Sequence, residues 1–118
     1  MGSGVKRWAI GLLLLSLATL PAVSLAQSIA VRVVQGMVQD TDSKPIANAV
    51  VYLQDQKSMG VRTFITEADG NYRFGQLSPD VDYQLWAEFK GHKSKTRSIS
   101  SFDSKKQFQF DLKIDLSK

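Results

Sequence analysis

The sequence predicts an all-β sandwich of approximately seven strands, preceded by a cleavable export signal. Apolar residues recur at every second position in several runs after Gln27, which is the period of a strand with one buried face. Turn-forming residues separate these runs at intervals of roughly 8–12 residues, a spacing typical of sandwiches and barrels. No window of about 11 residues after Gln27 has the apolar period of an amphipathic helix.

Five runs with this alternation are predicted to enclose the core. In the longest run, 108–116, the even positions are large and apolar and the odd positions are polar, so one face should be buried. The predicted strands span residues 34–39, 49–54, 72–76, 83–89 and 108–116, with a weaker edge strand within 95–99. The residues expected to point inward are Val38, Val51, Leu53, Tyr72, Phe74, Tyr83, Leu85, Phe108, Phe110 and Leu112.

The breaks between the runs contain turn-forming residues. Residues 40–45 are polar and end in a proline, which cannot donate a hydrogen bond to a strand ladder. Asp69 and Gly70 favour a tight connection between the runs 64–66 and 72–74, because glycine readily adopts a positive φ. We therefore expect the segments on either side of Gly70 to form consecutive strands.

The N-terminal segment has the organisation of a secretory signal peptide. Lys6 and Arg7 form a basic start, and an uncharged apolar run follows at 8–20. Small residues occupy positions 24 and 26, where a signal peptidase reads the chain, so cleavage is expected after Ala26. The predicted organisation is a signal peptide at 1–26 and one β-sandwich domain at 27–118.

An uncleaved membrane anchor is the alternative interpretation of the same segment, since no charged residue lies between Arg7 and Arg32. A spanning helix needs about 20 apolar residues, and Pro21 interrupts this run early. Cleavage is therefore favoured, which predicts an exported protein, periplasmic or extracellular, with no stable membrane span after cleavage. The chain contains no cysteine, so thiol redox chemistry and thiolate metal sites are not expected.

Charge is distributed unevenly along the predicted domain. Residues 27–89 contain five basic and eight acidic residues, whereas residues 90–118 contain eight basic and three acidic residues. A basic C-terminal third can mark an anionic partner. Charged residues also protect edge strands from unwanted pairing, and we favour that interpretation.

The turn and core residues between positions 36 and 91 follow a specific order: Gly36, Val38, Asp40, Pro45, Ile46, Ala49, Val51, Leu53, Thr66, Asp69, Gly70, Asn71, Tyr72, Phe74, Leu77, Pro79, Tyr83, Leu85, Ala87 and Gly91. This order resembles the carboxypeptidase regulatory-like domain. This family is a small transthyretin-like (prealbumin-like or Ig-like) β-sandwich that accompanies secreted proteins, and its fold is similar to that of carbohydrate-binding modules. The resemblance implies a non-catalytic accessory module with a protein-binding or structural role at the cell envelope.

Neither a catalytic site nor a cofactor site is predicted. His92 is the single histidine, and acyl-transfer chemistry would need further groups to converge on it. A hydrolase that uses His92 is the competing hypothesis. Pilin-type sandwich domains, which look similar, form a Lys–Asn cross-link promoted by a buried acid. The corresponding positions, by analogy, lie near Val38 and Ala87 and are apolar here, so no such cross-link is expected.

No metal site is predicted either, although aspartates at alternating loop positions can ligate calcium. Lys44 stands where a third ligand would be needed, and aspartate in turns usually accepts hydrogen bonds from its own backbone. The aspartates in the predicted turns are Asp40, Asp42, Asp69, Asp80 and Asp82.

The candidate binding residues lie on the face opposite the predicted core positions. Alternation places Tyr52 and Trp86 outward, with Gln54, Gln84 and Glu88 beside them. Exposed aromatic side chains suit a protein partner or a sugar ring. The alternative is that both rings only cover the sandwich. We expect a protein of the cell envelope as the partner, with carbohydrate as the second candidate, and no nucleic acid.

The processing prediction can be tested by intact mass spectrometry of the protein recovered from the cell envelope or the medium. Cleavage after Ala26 gives a chain that begins at Gln27. Recovery of the full-length chain from membranes would instead support the anchor.

Overall fold

The computed structural model of the chain describes residues 31–117, and within them it shows an all-β sandwich without a helix. The predicted signal peptide at 1–26 lies outside the described residues, as does the start of the predicted domain. Nine strands follow in order: β1 Arg32–Gln39, β2 Val50–Asp55, β3 Val61–Ile65, β4 Asn71–Leu77, β5 Tyr83–Phe89, β6 His92–Lys93, β7 Arg97–Ile99, β8 Gln107–Gln109 and β9 Leu112–Lys113.

The strands form two sheets, which we call sheet I and sheet II. In sheet I, β1 is central: it pairs antiparallel with β4 on one side and parallel with β8 and β9 on the other. In sheet II the order is β3-β2-β5-β6, and β7 also pairs with β5. The strands β6 and β7 therefore share one side of β5, just as β8 and β9 share one side of β1, so the nine strands occupy seven positions. The predicted architecture is confirmed.

Alternation along the strands buries the core between the sheets. Leu85 and Ala87 point to the same side of β5, and Val51 of β2 lies directly opposite Ala87. All three side chains are 0% exposed. Nine of the ten predicted inward residues are buried in this core: Val38, Val51, Leu53, Tyr72, Phe74, Tyr83, Leu85, Phe108 and Leu112. The tenth, Phe110, is only half-buried and packs against the edge of the core. Leu116, at the end of the same predicted strand, is 38% exposed.

The predicted strand 108–116 is interrupted, which explains the exposure of Phe110. The Phe110 carbonyl approaches β1 so closely at Gly36 that any side chain at position 36 would overlap it. The Tyr72 hydroxyl donates to that carbonyl at 2.6 Å, and the Asp111 carboxylate accepts from the Met37 N–H at 3.0 Å. Between β8 and β9 the chain therefore leaves the regular ladder, but the Phe110 carbonyl and the Asp111 carboxylate still accept hydrogen bonds. Burial, and then the negative charge of Asp111, raise the pKa of Tyr72, which keeps its hydroxyl protonated as a donor.

The connection through Gly70 differs from the expected one. Gly70 has a φ of +76°, as the turn residues predicted. However, β3 pairs with β2 in sheet II, whereas β4 pairs with β1 in sheet I, so this connection crosses between the sheets. The strand before it spans Val61–Ile65 and not the predicted 64–66. The two-residue hairpin lies instead at Lys90 and Gly91, whose φ values of 50° and 82° are those that such turns require.

Arg32 is a buried charge that the alternation did not predict. It is 2% exposed, and its guanidinium donates to the carbonyls of Ser100 at 2.8 Å, Ser78 at 2.6 Å and Val81 at 2.7 Å. Its carbon Cζ also lies 5.7 Å from the ring centroid of Phe108. Hydrogen bonds to charged donors are stronger than neutral ones, so Arg32 holds together the loops at one end of the sandwich.

Truncation of Leu85 tests the alternation. Leu85→Ala should lower the free energy of unfolding by ~2–5 kcal/mol, because it opens a cavity at a fully buried position. Gln84→Ala, one position away and directed outward, should change it little. Chemical denaturation of both variants measures the difference, and equal losses would contradict the assignment of the two faces.

Candidate binding face

The five predicted site residues lie together on the outer face of sheet II. Pairing of β2 with β5 places Tyr52 directly opposite Trp86 and Gln54 directly opposite Gln84. Glu88 is one step further along the same face of β5, opposite Val50. All five predicted residues are half-buried, as expected for side chains on a solvent-facing sheet surface. Alternation identified the face, and strand register places Tyr52 against Trp86 and Gln54 opposite Gln84.

The two aromatic rings are packed against each other. The Tyr52 and Trp86 ring centroids lie 5.3 Å apart, and the ring planes differ by 14°. On the other side of β5, the Lys93 Nζ lies 5.1 Å from the Trp86 ring centroid. Because β2 and β6 flank β5 on opposite sides, the Trp86 ring is held between an aromatic ring and a cation. The rings therefore form a ridge that is stiffened by its neighbours.

Polar groups beside the ridge fix its orientation. The Trp86 indole N–H donates to the Glu88 carboxylate at 3.3 Å, and Glu88 lies opposite Lys93 in the ladder. Gln54 is engaged with the turn after β2, since its amide donates to the Met59 carbonyl at 3.5 Å. Gln84 lies opposite Ser98 of β7, at the border of the face. The ridge thus has a polar border on two sides.

Apolar residues continue the face toward β3. Val61 lies opposite Gln54, Thr63 opposite Tyr52, and Ile65 opposite Val50. Val61 is 49% exposed and Ile65 is 62% exposed, which is high for large apolar side chains. The aromatic and apolar members of the outer face of sheet II are Val50, Tyr52, Val61, Ile65 and Trp86.

A basic cleft lies at another border of the sandwich. It has a volume of about 420 Å³ and is lined by Lys93, Lys95, Arg97 and Lys113, together with Asp111, Asp115, Thr41 and Leu112. The Arg97 guanidinium carbon is 4.2 Å from the ring centroid of Phe110, so this side chain is held in place by a cation–π contact. The predicted basic segment therefore borders a real concavity, although two carboxylates offset part of its charge.

Three of the five turn aspartates considered as calcium ligands accept hydrogen bonds from backbone N–H groups. Asp40 accepts from Asp42 at 2.8 Å and from Lys44 at 2.9 Å, and Asp69 accepts from Asn71 at 3.0 Å. Donation from the Ser101 backbone N–H lowers the pKa of Asp82. Within residues 31–117, no group of three histidine, cysteine or acidic side chains is placed to hold a metal ion.

Sequence reasoning missed two parts of this region. It did not place Lys93 beside Trp86, because that contact depends on the two-residue hairpin between β5 and β6. It also did not extend β3 back to Val61. The alternating β-branched residues Val61, Thr63 and Ile65 are a strand signal that could have identified the whole of β3.

The two packed sheets, with strand orders β4-β1-β8/β9 and β3-β2-β5-β6/β7, make a β-sandwich domain. A family model described as the carboxypeptidase regulatory-like domain matches residues 33–114. The match spans most of the chain, and the protein therefore belongs to the carboxypeptidase regulatory-like domain family. No curated protein sequence matches it.

Solved structures share the fold at low sequence identity. The major pilin subunit BcpA of Bacillus cereus matches with a TM-score of 0.58 and 12% identity over 75% of this chain and 31% of its own. Catechol 1,2-dioxygenase from Acinetobacter sp. ADP1 matches with a TM-score of 0.55 and 15% identity over 78% of this chain and 54% of its own. Chlorocatechol 1,2-dioxygenase from Pseudomonas putida matches with a TM-score of 0.55 and 11% identity over 73% of this chain and 60% of its own.

The chain spans less than two thirds of the length of each of these structures, and at such identities the likeness shows the fold alone. Within the described part of the chain, no helix has the length and apolarity needed to cross a membrane. Val38 and Ala87, near which the pilin cross-link residues would fall, are both 0% exposed in the core.

A double-mutant cycle tests whether the ridge is a coupled unit. Tyr52→Ala and Trp86→Ala should together destabilise the fold by about 0.5–1.5 kcal/mol less than the sum of the single effects, because the ring contact is lost once. The cycle between Gln54→Ala and Gln84→Ala, which are also directly opposite, is the matched control and should show little coupling. Thermal or chemical denaturation gives the free energy of unfolding of each variant. An equal coupling in the two cycles would show that the rings do not interact specifically.

Proposed function

We propose that the protein is an exported, non-catalytic accessory module that binds another protein of the cell envelope. The observation that carries this proposal is the outer face of sheet II, where an aromatic ridge adjoins exposed apolar residues within a polar border. Aromatic residues in the centre of such a surface contribute most of the binding energy in protein interfaces. A tyrosine and a tryptophan held rigid by their neighbours also lose little entropy on binding.

The ring geometry favours a protein over a sugar. Stacking on a sugar needs a free ring face, but Tyr52 lies on one side of Trp86 and Lys93 on the other. A protein partner can use the exposed edge of the ridge together with Val61 and Ile65. Carbohydrate is the alternative ligand, and its stacking on Trp86 would require the Lys93 side chain to leave the ring.

The family supports the non-catalytic and exported parts of the proposal. The carboxypeptidase regulatory-like domain is a non-catalytic module, and the fold is shared with a pilin subunit as well as with dioxygenases. The signal-peptide pattern at 1–26 supports export. The alternative of a hydrolase would depend on His92, which is half-buried in β6 beside the hairpin turn.

Capture from an envelope extract with the purified protein tests the binding face. Trp86→Ala should weaken the interaction by about 30-fold or more, which is the effect of losing an interface residue worth about 2 kcal/mol. Gln35→Ala, an exposed position on β1 in the other sheet, is the matched control and should bind as the unmodified protein does. Capture that survives Trp86→Ala in a folded protein would place the site elsewhere.

A glycan array separates the two ligand classes. If the ligand is a protein, no glycan should show binding that requires Trp86. If the ligand is a carbohydrate, at least one glycan should bind the unmodified protein and should not bind the Trp86→Ala variant. Binding of that kind would overturn the preference for a protein partner.

A further inference from the structure

The edges of the two sheets differ in how they are protected. Within residues 31–117, the edges are β4 and β8/β9 in sheet I, and β3 and β6/β7 in sheet II. Charged or amide side chains normally discourage an edge strand from pairing with another chain. Three of these edges carry such residues at exposed positions, namely Asn71, Arg73, Gln76, Lys93, Arg97, Gln107, Gln109 and Lys113.

The edge strand β3 carries one exposed charged residue, Arg62, and no charged or amide side chain on its outward face. Its outward residues Val61, Thr63 and Ile65 are exposed and β-branched, which favours strand pairing. Its single charged residue, Arg62, is directed toward the other sheet: its guanidinium donates to the Gly75 carbonyl at 3.0 Å and lies 5.6 Å from the Phe74 ring centroid. The guanidinium, although exposed, is therefore engaged with β4 of the same chain.

The backbone of β3 presents hydrogen-bonding groups at the same edge. The bonds from the Asp55 N–H to the Gly60 carbonyl and from the Thr66 N–H to the Ala49 carbonyl, both 2.9 Å, set the phase of the β2–β3 ladder. Antiparallel pairs alternate between bonded and non-bonded positions, so Arg62 and Phe64 bond to β2. The N–H and C=O groups of Val61, Thr63 and Ile65 consequently point away from β2, toward the open edge.

We propose that β3 pairs antiparallel with β3 of a second copy of this chain, with Thr63 opposite Thr63. The strand has five residues, and Thr63 is its centre. A two-fold axis through that point places Val61 of each copy opposite Ile65 of the other. Each of these pairs exchanges both of its N–H···O=C hydrogen bonds, because these are the residues whose backbone groups face the edge.

The charges of β3 and its flanking segments are complementary in this arrangement. Arg62 falls opposite Phe64 of the second copy and not opposite its own image, so no like charges are paired. Antiparallel direction also brings the turn before β3, which carries the exposed Lys57, to the same end as the exposed Glu67 and Asp69 after β3 of the other copy. Opposite charges at both ends of the pairing favour this register over a parallel one.

The pairing joins the outer faces of two sheets II into one surface. Val61 of one copy would lie beside Ile65 of the other, which continues the apolar row that leads to the Tyr52–Trp86 ridge. A single five-residue edge buries a small interface, so the dimer should be weak and dependent on concentration. The dimer does not depend on the proposed envelope partner, because it forms through the backbone edge of β3. The envelope partner is proposed to bind the Tyr52–Trp86 ridge and is tested with Trp86→Ala.

Sedimentation velocity of the purified protein from low micromolar to millimolar concentration measures the association. We expect a monomer–dimer equilibrium that Trp86→Ala leaves unchanged. A monomer throughout this range would overturn the proposal. Loss of dimer in a folded Trp86→Ala protein would also overturn it, because the contact would then be made by the outer face.

Single cysteines test the position of the two-fold axis, since the chain contains no native cysteine. Directly opposed bonded residues have Cα atoms ~5.5 Å apart, within the ~4.4–6.8 Å range of a disulfide. Thr63→Cys should therefore form a disulfide-linked dimer on mild oxidation. Gln109→Cys, an exposed position on the β8 edge, is the matched control and should remain monomeric. Equal cross-linking of the two variants would contradict a specific β3 contact.

A charge exchange tests the register independently. Thr63→Lys and Thr63→Glu should each weaken self-association by about fivefold or more, because each places like charges directly opposite one another. An equimolar mixture should restore the dimer, since Lys then faces Glu. Circular dichroism melts confirm that both variants are folded. Failure of the mixture to associate, with both proteins folded, would overturn the Thr63–Thr63 register.

Discussion

The close contact between Gly36 of β1 and the Phe110 carbonyl governs how sheet I is assembled. Strand β1 has neighbours on both sides, and at Gly36 the returning chain comes so near that only a residue without a side chain fits. Tyr72, opposite Gly36 on β4, reaches across this position and donates to the same carbonyl at 2.6 Å. The consequence is an interrupted edge: β8 and β9 are short, and Phe110 is turned partly out of the core.

Alternation predicts which face a residue belongs to but not which residues meet. It placed Tyr52 and Trp86 outward, and the structure confirms this position. Their stacking depends on the register of β2 against β5, which is set by the whole core and is not encoded in either strand alone. The same limit explains Arg32. Its three carbonyl acceptors lie 46 to 68 residues away, so no local pattern could show that this charge is buried and held by hydrogen bonds.

The connection at Gly70 shows a related limit. A glycine with positive φ indicates a tight change of direction, and that was correct. It does not indicate whether the next strand returns to the same sheet or enters the other one. Here β3 and β4 lie in different sheets, and the contacts between them come from side chains: Phe64 packs edge-on to Phe74, with centroids 6.1 Å apart. The crossing leaves β3 with only one hydrogen-bonded neighbour within residues 31–117.

The uneven charge of the chain corresponds to the positions of its sheet edges. The exposed basic residues after Phe89 include Lys93 and Arg97 at the β6/β7 edge and Lys113 at the β8/β9 edge. This placement agrees with a protective role, in which charge discourages pairing where backbone groups are unpaired. The same reasoning singles out β3, which belongs to the acidic part of the chain and whose one cation is engaged by Gly75. A chain that protects its other edges with polar residues and leaves a β-branched edge exposed has an edge suited to pairing.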